Sequence, residues 1–206
     1  MTSKLLTIII VLTYAKSCNK ADFERPQPND TKNLTLVPSK LHGIYTSITD
    51  SSSLHITDKS IIRNNIEIYS IHKNELDSIE SFFTKDTIFQ EDNIAFDVKI
   101  FGDSLKARMT FADTLIYMPS DMMLRRYKGH YFLNKRKSEL KWEVKSITID
   151  HKKLILSSTQ TEEDINLLRQ LLATSDTTLV FNPTKKQFRQ FLKQGGFKYK
   201  ETYRRQ

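Results

Sequence analysis

The sequence predicts an α+β fold: a predominantly antiparallel β meander, closing as a barrel or a sandwich, followed by a C-terminal helix-strand-helix-strand segment. Three observations predict it. From Leu41 onward apolar residues recur with period two, as in Ile94, Phe96, Val98 and Ile100, and again in Leu105, Ala107, Met109 and Phe111; this is the pattern of half-buried strands. The strand-like runs are short and closely spaced, as in an antiparallel meander. After Thr161 the apolar spacing changes to that of a helix, which confines helices to the C-terminal part.

Taken in order, the chain opens on Lys4 and an apolar run from Leu5 to Leu12, followed by Ala15, Lys16, Ser17 and the only cysteine, Cys18. A positive start, a short apolar stretch and small residues before a cut site are the marks of a secretory signal. The run is shorter than the roughly 20 residues a membrane-spanning helix needs. Residues 1–17 resemble the signal peptide of a bacterial lipoprotein, although Lys16 stands where that family has a small neutral residue. The resemblance implies cleavage before Cys18 and acylation of its thiol, so that acyl chains hold the protein at a membrane. An exported chain with one cysteine forms no internal disulfide, which leaves the thiol for another use. The other reading is an ordinary signal peptide cut nearby.

Removing residues 1–17 takes away Lys4 and Lys16 and no acid, lowering the formal charge from +8 to +6. Charge of that size over so long a chain argues against nucleic acid as a partner. Residues 18–40 are polar, with Pro26, Pro28 and Pro38 among Asn, Asp, Thr and Lys, and read as a lipidated cysteine with a flexible tether. Lys20-Ala21-Asp22-Phe23-Glu24 loosely resembles acidic surface-export signals. Residues 41–206 then form one globular domain, of ordinary length for one.

Within it, strands are expected at 43–48, 54–57, 61–71 with a break, 87–90, 94–100, 105–111, 114–118, 123–127, 131–134, 140–149 and 154–157. Gly102-Asp103 joins two of them as a hairpin. The recurring phrase of Asp, Ser or Thr and an apolar residue (Asp77-Ser78-Ile79, Asp86-Thr87-Ile88, Asp103-Ser104-Leu105, Asp113-Thr114-Leu115) reads as a turn that caps itself and starts the next strand. It also resembles an O-glycosylation acceptor of exported bacterial proteins. Thr161 before Glu162-Glu163-Asp164, with Ile165, Leu168, Leu171 and Leu172 on one stripe, predicts a helix over 162–173. Thr178 to Asn182 reads as a strand. Thr184 with Gln187 forms a capping box for a second helix burying Phe188, Phe191 and Leu192, which Gly195-Gly196 ends. Phe197, Tyr199 and Tyr203 alternate as a closing strand.

Catalytic signals are sparse. Phe101-Gly102-Asp103-Ser104-Leu105 resembles the first block of the GDSL-type hydrolases, which would make Ser104 a nucleophile. No Asp-x-x-His follows it, and the string sits in a hairpin, so a turn explains it. His42, His55, His72, His130 and His151 stand singly without metal-ligand spacing. No metal, cofactor or catalytic residue is therefore expected. Lys135-Arg136-Lys137, with Arg125, Arg126 and Lys128, is the densest basic patch. It reads as the solvated tip of a hairpin, or as a contact for lipid headgroups or an acidic glycan. Trp142, Ile147 and Ile149 read as core.

The expected function is a lipid-anchored domain of the cell envelope, at the outer membrane on an undecided face, that binds or scaffolds an envelope protein or a glycan without catalysis. The alternative is a lipocalin-like carrier of a small apolar ligand, with the Phe and Tyr residues lining its cavity.

Overall fold

The computed structural model describes residues 20–72, 81–84, 87–90, 95–101, 103–118, 120–175 and 177–206. The fold is α+β and β-rich, a curled antiparallel half-barrel with two helices near the C-terminus. Among the described residues the sheet curls into a half-barrel without closing.

The chain begins with β1 (Asp22–Phe23) and β2 (Asn33–Leu34) and a 3-10 turn at Ser39–Leu41. Strands β3 (Gly43–Ser47), β4 (Ser53–Ile56) and β5 (Ser60–His72) follow, then β6 (Ser81–Thr84), β7 (Thr87–Gln90), β8 (Ala95–Phe101) and β9 (Ser104–Tyr117). A second run comprises β10 (Met123–Tyr127), β11 (His130–Ser138), β12 (Lys141–Asp150) and β13 (Lys153–Ser158). Helix α1 (Glu162–Leu172), β14 (Val180–Phe181), α2 (Lys185–Lys193) and β15 (Tyr199–Arg205) complete the chain. The sheet order is β2-β10-β11-β12-β13-β15-β3-β4-β5-β9-β8-β7-β6. The last strand therefore joins two meanders, pairing with β13 on one side and β3 on the other.

Residues alternate between two cores along the shared strands. On β11, Tyr131 and Leu133 belong to the cluster with Tyr45, Leu54 and Ile61, whereas Phe132 belongs to the cluster of the helices. On β12, Trp142 and Val144 meet the helices while Ile147 faces the other way. The first face is the concave one, because Lys135 on β11 reaches Asp113 and the Thr114 carbonyl on β9, which is not its neighbour in the sheet. Phe188 sits at the centre of the helical core, with ring centroids 5.2 Å from Phe132, 6.1 Å from Phe23 and 6.2 Å from Phe197. Aromatic pairs at such distances add about 0.5–1.5 kcal/mol each beyond their burial.

The helix signals are realised. The Thr161 side chain accepts from the Asp164 N–H, and Thr184 and Gln187 form the reciprocal capping box. Gly196 follows α2 in close contact with a ring: a Cβ there would lie 2.4 Å from Phe191 Cζ. Only glycine lets the chain pass that close.

The expected tether over 18–40 is corrected for its described part, and so is the domain boundary at 41. Ala21 and Phe23 are fully buried in the helical core, β1 pairs with both β12 and β14, and Val37 is buried in the concave core. Side chains from the sheet hold the segment by its backbone. Asn134 Oδ1 accepts from the Gln27 N–H at 2.6 Å while its Nδ2 donates to the Gln27 carbonyl at 3.0 Å. Arg125 Nη1 donates to the carbonyls of Pro26 at 2.5 Å and Pro28 at 2.8 Å, and its Nε donates to Asn33 Oδ1. A segment poor in apolar residues thus docks by a few of them, its carbonyls being met by the buried Asn134 and the half-buried Arg125.

Other boundaries also shift. The expected break within 61–71 is a single register irregularity between Ile61 and Ile62 in a continuous β5. The two strands expected at 105–111 and 114–118 are one, so Asp113-Thr114 lies mid-strand, paired with Arg63 and Ile62, and is not a turn. Asp103-Ser104 does start β9 after the hairpin. Asp77-Ser78 and Asp86 lie outside the described residues. The strand expected at 178–182 shortens to β14, and the closing strand begins at Tyr199.

Candidate functional site

Charged side chains gather inside the curl, at the end where β1 enters the sheet. Glu143 and Lys145 occupy the concave face of β12, two residues apart as strand geometry requires. Lys20 pairs with Glu143, and Lys145 Nζ lies 3.4 Å from the same Glu143 oxygen. On β11 and β9, Lys135 faces Asp113 at 3.9 Å. On β5 and β15, Arg63 pairs with Glu201, which also accepts from the Tyr203 hydroxyl at 2.9 Å. The hydroxyl of Ser52 reaches Tyr203 Oη at 3.5 Å and donates to Asp50 Oδ1 at 2.5 Å. A cleft of about 220 Å³ opens among Asp113, Thr114, Leu115, Leu133, Lys135, Glu143 and Lys145.

Electrostatics couple these pairs. Burial alone would raise Glu143, but the attraction of Lys145 and the bond from Lys20 hold its carboxyl below the usual range. Burial pushes Lys145 down, and Glu143 opposes that push. Tyr203 is raised by burial, partly offset by its bond to Ser52 and the charge of Arg63. The buried Nε of Arg63 has no hydrogen-bond partner among the described residues. The cluster therefore holds cations at a fixed place with reduced solvation, suited to meeting an anionic or strongly polar group.

Two other clefts carry charge. One of about 310 Å³ lies between the β10–β11 turn and α2, lined by Lys128, His130, Arg189, Leu192 and Lys193. There His130 Nδ1 is 3.0 Å from Ser146 Oγ, and burial lowers the imidazole. The other is an open groove beside the β12–β13 turn, where His151 Nδ1 contacts Asp150 Oδ1 at 2.6 Å. These side chains are 94% and 70% exposed, so water surrounds a turn pair that no neighbouring wall shields.

The residues singled out in the sequence are placed as follows. Cys18 lies outside the described residues. Ser104 starts β9 with His72 as its cross-strand partner. A nucleophile and its base need a hydrogen bond between side chains, which register alone does not supply. His42 Nε2 contacts the Val37 carbonyl at 2.8 Å, a structural use. Among the described residues no three His, Cys, Asp or Glu side chains converge as a metal site. Arg136 and Lys137 are exposed near the β11–β12 tip as expected, Trp142 and Ile147 are core, and Ile149 is 36% exposed. Arg125, counted with the basic patch, is instead the clamp on the N-terminal segment.

Sequence reasoning missed Lys20, Arg63, Asp113, Glu143, Lys145 and Glu201. Of these, Glu143 and Lys145 stand at the parity opposite to Trp142 and Val144, but residues of an open, solvent-facing side show the same alternation, so it does not mark them. No known protein family, curated protein or solved structure matches this chain.

Proposed function

We propose that this chain is a lipid-anchored domain of the cell envelope, released from its signal peptide before Cys18, acylated there, and held at the outer membrane to bind or scaffold an envelope protein or glycan. The observation that carries this reading is the single cysteine placed directly after Lys4, the apolar run Leu5 to Leu12 and Ser17.

The packing inside the curl favours binding over carriage of an apolar ligand. A carrier needs a cavity lined by apolar side chains. Here Tyr45, Tyr131 and Tyr203, with Leu54, Ile61 and Leu154, fill the concave face at 2% exposure or less. The cleft beside them is lined mostly by charged and polar groups.

Metabolic labelling with a clickable fatty acid tests the anchor. Wild type should take up the label and fractionate with membranes, and Cys18→Ala should take up none. Equal absence of label from both would sink the proposal.

A further inference from the structure

We propose that the tip of the β11–β12 hairpin is a second membrane contact, which seats on an anionic phospholipid surface beside the acyl anchor. This rests on the acylation reading for its orientation, and on the structure for its chemistry. One residue, Asn19, stands between Cys18 and Lys20, a span of two residue steps or at most about 7 Å. Directly after them the chain is fixed: the Ala21 N–H donates to the Thr159 carbonyl at 2.8 Å and Ala21 is fully buried. An anchor on Cys18 therefore has no spacer, and the surface around Lys20 lies against the headgroups.

The hairpin tip is part of that surface. Lys20 pairs with Glu143 near the start of β12, Phe23 is in register with Trp142, and Lys137 Nζ lies 3.0 Å from Asp22 Oδ1. Between those strands the turn presents Leu140, 66% exposed, where a turn ordinarily carries a polar residue or glycine. Near it in sequence stand Arg136, Lys137 and Lys141 against one acid of the turn, Glu139. Asp22 faces Lys137 from β1, its side chain 15% exposed against 39% for the lysine, so Lys137 is partly neutralised and Arg136 and Lys141 carry most of the charge of the tip. Arg136 is exposed, with its guanidinium 5.8 Å from the Trp142 ring centroid. A projecting apolar side chain within a collar of cations matches an interface whose outer layer is phosphate and whose next layer is hydrocarbon.

The mature chain, residues 18–206, contains every described element and can be tethered without acylation through an N-terminal hexahistidine on chelating-lipid vesicles. Because Cys18 is the only cysteine, Cys18→Ser combined with Leu140→Cys accepts one environment-sensitive fluorophore at the tip. Lys152→Cys places it instead on the exposed turn at the opposite end of β12. On vesicles with 30% phosphatidylglycerol the label at 140 should shift to the blue and be quenched by lipid-borne spin labels, while the label at 152 should not. Adding Arg136→Glu and Lys141→Glu should reduce the signal at 140 about tenfold or more, since each cation near an anionic surface contributes about fivefold in affinity. The proposal is overturned if the label at 140 stays in water, if 152 responds equally, or if the signal appears equally on neutral phosphatidylcholine. A signal at 140 that rises with protein density on neutral vesicles assigns the tip to contact between copies and also overturns it. These results do not depend on the thiol, so they are distinct from failure of fatty-acid labelling.

Discussion

At the scale of single residues, Glu143 has the most to lose. It receives Lys20 and Lys145 on one oxygen inside a half-buried cleft, so removing its charge leaves two cations facing each other. Glu143→Gln should lower stability at neutral pH by about 3 kcal/mol, the low end for breaking a buried pair. Because its folded carboxyl titrates below the ordinary glutamate range, its contribution is complete above that range and is lost as pH falls through the folded value. Urea denaturation between pH 7 and pH 3 should show a steeper acid loss in wild type than in Glu143→Gln; parallel curves would contradict the account. The local alternation does not distinguish this role from that of a solvent-facing residue. Glu143 and Lys145 alternate with Trp142 and Val144 as solvent-facing residues do, and only the curl of the sheet over β12 turns that face inward.

At the scale of elements, local signals and long-range ones part company. The helix termini were legible because their determinants are local: Thr161 and Thr184 cap through residues three positions on. Thr184→Ala removes both the accepted N–H and half of the capping box, and should cost about 1 kcal/mol in thermal unfolding; an unchanged midpoint would show that the box does not hold α2. Strands β10 to β13 were likewise legible from their alternation. The length of β9 was not, because Asp113-Thr114 has the composition of a turn, yet Arg63 and Ile62 lie opposite it on β5 and keep the strand running. Strand β1 was missed for the same reason. Two residues have no period of their own, and pairing with Trp142 and Val180 makes them a strand.

At the scale of the whole molecule, the N-terminal segment belongs to the folded domain from Ala21 onward. Its composition resembles a spacer, because the residues that fix it lie far along the chain: Asn134 and Arg125 meet its carbonyls, and Phe23 enters an aromatic core built by Phe132, Phe188 and Phe197. The consequence is geometric. A flexible segment of this length would hold the domain on the order of 25 Å from the proposed anchor, whereas under that proposal a docked one would bring the β11–β12 tip close to the membrane. Denaturant unfolding of Phe23→Ala measures this directly. Deleting a fully buried phenylalanine should lower the unfolding free energy by about 3–5 kcal/mol; a loss under about 0.5 kcal/mol, as at a surface position, would return the segment to a tether and contradict the account.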